Sequence, residues 1–149
     1  MTRSNARELA LHLILDMEYT GEPSDEVVDT RMEKAYYATL KQEHEVYEER
    51  PNQKQLAYIR TVVSGVQEHR EDLSAYIAKY SIGWNVNRIS RLARAILELA
   101  MYEIHYVEDV PAAVAVNEAM LLAKKYETAE IASFINGILG AFVREETQA

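Results

Sequence analysis

Apolar residues recur at helical spacing along almost the whole chain, and the residues that would interrupt a helix are scarce: 5 glycines and 3 prolines among 149 positions. Ala6, Ala10, Leu13, Ile14 and Met17 share one face of a first helix. Thr20-Gly21-Glu22-Pro23-Ser24-Asp25 ends it, because proline disfavours helix in the residue before it and Ser or Asp can cap a new start. A second, more polar helix is predicted from Glu26 to about Glu49, carrying Val27, Val28, Met32, Tyr36 and Leu40, with the acidic tract Glu43–Arg50 as its solvated end. After Pro51-Asn52 the stripe resumes through Leu56, Ile59, Val62, Val63, Val66, Leu73, Ile77 and Tyr80, with an adjustment near Glu68 to Glu71.

Ser81-Ile82-Gly83-Trp84-Asn85 marks the next turn. Beyond it, Ile89, Leu92, Ala93, Ile96, Leu97, Ala100 and Ile104 face inward on a fourth helix, with Arg88, Arg91, Arg94 and Glu98 outward. Pro111 opens a fifth helix through Lys124-Lys125-Tyr126, and Ile131 to Phe142 forms a sixth. No segment alternates with period two between hairpin turns, so strands are not expected. The pattern predicts an all-α single domain, residues 1–149, of six or seven helices.

Charge and composition remove whole classes of function. The formal charge is −8, which argues against a nonspecific polyanion binder and confines any nucleic-acid role to a local basic patch. Without cysteine there is no disulfide scaffold, thiol nucleophile or thiolate metal site. No run of about 18 apolar residues is present and the amino-terminal stretch lacks a small-residue cleavage site, so neither a membrane span nor a signal peptide is expected. None of His12, His44, His69 and His105 follows a glutamate by three positions, and His44-Glu45 lacks the second histidine of a zinc-protease helix. The scattered glycines form no phosphate loop, and no Gly-x-Ser-x-Gly elbow occurs. The expectation is a binding protein that is not an enzyme, with no metal and no cofactor.

Two basic rows remain. Arg3 and Arg7 lie four residues apart at the start of the first helix and project from one side, where paired guanidiniums suit phosphate oxygens. Arg88, Arg91 and Arg94 form the second row. Any of the 10 tyrosines beside such a row would offer a base-stacking platform.

Several strings carry a more specific signal: Arg94 through Glu103, Asp109-Val110-Pro111, Val116-Asn117-Glu118-Ala119 with Leu122-Ala123-Lys124 and Tyr126, and Phe134-Ile135-Asn136-Gly137. Together with Arg3 to Leu11 at the amino end, Ser64-Gly65-Val66 and Trp84, they resemble the NusB family of transcription antitermination factors over nearly the whole chain. The resemblance implies two helical subbundles, here residues 1–80 and 81–149, and a non-enzymatic cytoplasmic protein. It implies binding to boxA-type RNA of ribosomal RNA leaders with the ribosomal protein that doubles as NusE, within an antitermination assembly on RNA polymerase. The family's RNA contacts fall on Arg3, Arg7, Phe134 and Asn136 of this chain. A homodimer is compatible with the family as well.

The chain departs from the family's pattern at informative places. Ser4 and Asn5 stand where further basic residues are common, His12 where glutamine is usual, and Glu98 where arginine is usual. Fewer cations mean fewer phosphate contacts, so RNA affinity should be weaker alone and lean more on the protein partner. Two alternatives follow: a helical protein–protein module with a weakened RNA site, and an accessory domain like those preceding ribosomal RNA methyltransferases.

Overall fold

The computed structural model describes residues 1–83 and 89–147. Trp84 and Arg88 lie outside them. The described residues form eight α-helices and one 3₁₀ turn, without a strand. The helices are α1 (Arg3–Thr20), α2 (Ser24–Met32), α3 (Lys34–Leu40), α4 (Gln53–Glu68), α5 (Arg70–Tyr80), α6 (Arg91–Tyr106), α7 (Ala112–Tyr126) and α8 (Ala129–Glu146). The all-α reading holds, with more helices than the six or seven expected.

The extra pieces come from one place. The single helix expected over Glu26–Glu49 is instead α2, α3 and the 3₁₀ turn Glu45–Glu48. Glu33 breaks the run: its backbone is extended, and its carboxylate accepts hydrogen bonds from the amides of Ala35 and Tyr36 to start α3. Those bonds also hold its carboxyl below the usual carboxylate range. His44 does the same for the 3₁₀ turn, its Nδ1 accepting the Val46 N–H at 3.0 Å. The tract is no solvated helix end, because Val46 and Tyr47 are buried.

The helices divide into two compact units, Met1–Gln67 and Glu68–Ala149. The division precedes α5, which packs on α6 and α8 through Leu73 and Ile77. In the first unit α1 supplies Leu9, Ala10, Leu13, Ile14 and Met17 to a core shared with Val27, Val28, Leu40 and Val46. Thr2 caps α1 by accepting the Asn5 N–H at 3.0 Å, and Gly21, at φ +74°, closes it with its N–H on the Met17 carbonyl. In the second unit α6 is the hub, touching α5, α7 and α8. Ser90 caps α6 and Thr128 caps α8 through their hydroxyls.

One residue of α6 reverses the expectation drawn from its charge. Glu98, placed outward from the sequence, is fully buried, with its carboxylate 3.8 Å from the Arg70 guanidinium of α5. A buried charge requires a partner, and α5 brings one. Among the described residues, no helix is long and apolar enough to cross a membrane.

Candidate nucleic-acid interface

The amino-terminal arginines meet over one aromatic ring. Tyr58 of α4 lies beneath both, with the Arg3 guanidinium carbon 3.8 Å from the ring centroid and that of Arg7 5.8 Å away. A guanidinium held over a ring face can still offer N–H groups to an oxyanion while losing little rotamer freedom on binding. Arg3 is half-buried, and its Nε is without a hydrogen-bond partner among the described residues. Arg7, expected as a second surface cation, is only 3% exposed and sits deeper against the same ring. The two arginines therefore differ: Arg3 presents charge, while Arg7 supports the ring and the helix.

Surrounding contacts fix this tip. The terminal ammonium of Met1 pairs with Glu49 at 2.8 Å, and the Gln55 side chain of α4 donates to the Met1 carbonyl. The ammonium's hydrogen bond and charge hold the Glu49 carboxyl below its ordinary range. Other arginines of the first unit are engaged with acceptors. Arg31 pairs with Asp16 and donates to the Tyr47 hydroxyl at 2.6 Å; Arg60 pairs with Asp29 at 2.5 Å. Arg50 donates to the Met32 carbonyl at 2.6 Å while lying over the Tyr37 ring.

The remaining predicted contacts lie in the second unit and do not converge with each other. Phe134 and Asn136 are two positions apart on α8, so they point to opposite sides of the helix. Phe134 is buried and lines a depression of about 470 Å³ with Tyr80, Ile82, Glu130 and Ile138. Asn136 is exposed and borders a different groove of about 440 Å³ between α7 and α8, beside Asn117, Val116 and Met120. Of the second basic row, Arg91 is exposed and Arg94 partly so.

Sequence reasoning missed Tyr58 because it lies beside the apolar stripe of α4, and nothing local marks it as the seat of two cations from α1. It also missed the convergence of Glu8 and His12, one turn apart on α1, with His44.

Comparison with known proteins agrees with this architecture. The NusB family model matches residues 4–144. The transcription antitermination protein NusB of Symbiobacterium thermophilum is 40% identical over 144 residues, covering 97% of this chain and 90% of that protein. NusB of T. maritima superposes with a TM-score of 0.80 at 24% identity, over 99% of this chain and 94% of that one. A solved complex of antitermination factors NusB and NusE with dsRNA contains a chain that matches at a TM-score of 0.73 and 20% identity, over 95% of this chain and 96% of that one. From the breadth of the family match and the identity to a curated relative, this chain belongs to the NusB family.

Proposed function

We propose that the chain acts as a transcription antitermination factor that binds boxA-type RNA together with a NusE partner, without catalysing a reaction, as part of an assembly on RNA polymerase. The observation that carries this reading is the Arg3 guanidinium stacked 3.8 Å over Tyr58 at the capped start of α1, in a protein of net charge −8. Single-stranded RNA is held by cation–phosphate contacts and by stacking, and this tip offers a pre-oriented cation. The NusB name of the relatives and the NusB–NusE–dsRNA complex of a structural neighbour support the choice of partners. Arg3 is the direct contact in this reading, and Arg7 positions the ring. Asn136, exposed on α8, is a secondary RNA contact; Phe134 contributes through the wall of its depression.

A filter-binding titration of boxA-type RNA across salt, with and without NusE, tests the reading. Arg3→Ala should weaken binding about tenfold and lower the salt slope by about one, as for loss of one phosphate contact. Unchanged affinity and slope in Arg3→Ala would refute the assignment. The burial of Arg7 favours one rival reading, a protein–protein module with a reduced RNA site. That rival predicts NusE binding with no preference for boxA-type RNA at moderate salt.

A further inference from the structure

We infer that Glu8, His12 and His44 form a binding site for a divalent transition-metal ion of the zinc class, a site independent of the RNA reading. One carboxylate and two imidazoles place ligand atoms that all lie within 4.8 Å of one another. Glu8 and His12 are one turn apart on α1 and share a face; His44 is carried to them by the segment between α3 and the 3₁₀ turn. This donor set is the His₂Glu type that holds zinc with a further position left for water.

The spacing already approaches what coordination needs. A tetrahedral zinc with bonds of about 2.0–2.1 Å separates neighbouring ligand atoms by about 3.3 Å. The Nε2 of His44 is 3.5 Å from Oε2 of Glu8. The two imidazoles sit edge to face with ring centroids 5.0 Å apart. The remaining separations, at most 4.8 Å, must shorten when an ion binds.

Burial and support favour a resident cation over a casual surface contact. Glu8 is 5% exposed, and both histidines are only partly accessible. His12 Nδ1 lies 2.8 Å from the Tyr47 hydroxyl, which in turn receives the Arg31 guanidinium. A metal-bound imidazole characteristically has its other edge fixed by such a partner. Imidazole and carboxylate donors suit zinc, nickel, cobalt or copper better than calcium or magnesium, which prefer oxygen alone.

Coordination leaves a specific mark. His44 Nδ1 accepts the Val46 N–H, so Nε2 carries the proton of the neutral ring. When Nε2 binds a metal, the ring proton must reside on Nδ1, and the Val46 amide loses its acceptor. The metal would thus clip α1 to the loop after α3 while loosening the start of the 3₁₀ turn.

The test uses the untagged full-length chain. Calorimetric titration with zinc chloride should show one ion per chain, and His12→Gln, Glu8→Gln and His44→Gln should each weaken binding about tenfold to a hundredfold. His69→Gln and His105→Gln, controls in the second unit, should bind as the parent does. Cobalt added to the unmutated protein should broaden the NMR signals of the His12 and His44 rings and shift the Val46 amide, a readout that does not depend on any variant folding. Absence of binding at millimolar zinc overturns the inference. So does affinity unchanged in the α1 and His44 variants, or broadening centred on His69 or His105.

Discussion

The two units reach stability by different means. The second is built from long helices whose interior is mostly apolar: Leu97, Leu99, Ala123, Ile135 and Leu139 are hidden beside the ring of Phe142, with Glu98, near Arg70, and Glu103 as buried acids. The first brackets short elements between α1 and α4 and secures them with polar links. The Tyr37 hydroxyl donates to the Glu49 carbonyl at 2.6 Å, Arg50 reaches the Met32 carbonyl, and Gln67 accepts the Ser24 N–H at 3.0 Å. Burial pushes the hydroxyls of Tyr37 and Tyr47 up to about 12, so both stay protonated throughout the physiological range. Helices too short to bury a full apolar stripe need directional contacts to hold them. A surface made of directional contacts is also the one that can present charge in a fixed place.

The largest effect should follow removal of buried aliphatic bulk. Leu139→Ala is expected to cost about 2–5 kcal/mol, seen as a lower urea midpoint, because the site is enclosed and cannot collapse fully. A loss under about 1 kcal/mol would mean that α8 repacks freely and that the interior of the second unit is not tightly enclosed. In the first unit the sensitive atom is an oxygen. Tyr47→Phe keeps the ring but deprives Arg31 and His12 of their shared partner, for an expected loss of about 1–3 kcal/mol by the same measurement. If this variant proves neutral, the polar links of the first unit are decoration. A smaller effect, about 1 kcal/mol, is expected for Thr128→Ala, which removes the hydroxyl accepting the Ile131 N–H at the start of α8.

Acid sharpens the comparison last. Glu146 is held below the usual carboxylate range first by the Tyr80 hydroxyl and then by Lys79, whose ammonium lies 2.9 Å away. A depressed carboxyl contributes stability that is present above its unfolded value of 4.5 and fades as pH falls through the lower folded value. Glu146→Gln should therefore lower the neutral plateau modestly and flatten part of the acid limb, the parent and variant profiles converging as pH falls from about pH 6 to about pH 3. Glu33, depressed by the amides of α3, should behave likewise in the first unit. An acid limb identical in parent and variants would remove both carboxyls from the account.

Periodicity made α1 and α6 through α8 legible, because each buries several turns of apolar residues at regular spacing. It failed over Glu26–Glu49, where Val46 and Tyr47 lie in an acidic run whose charge outweighs them in any sequence window. Glu98 was misplaced for a related reason: its cation comes from another helix, so the sequence around it shows an acid with no sign of the partner that lets it be buried. Arg3 and Arg7 were legible as neighbours, since four residues make one turn. Their unequal burial and their common seat on Tyr58 depend on α4, which no local pattern connects to them. The divergence of Phe134 and Asn136 follows from helical geometry, once α8 is known to be continuous through both.

The stack of Arg3 on Tyr58 joins the opening turn of the first unit to its closing helix. A ribosome releases the cation before the ring, so the tip can form only once α4 has emerged. The pair is thus a built-in gauge of whether that half of the protein has closed.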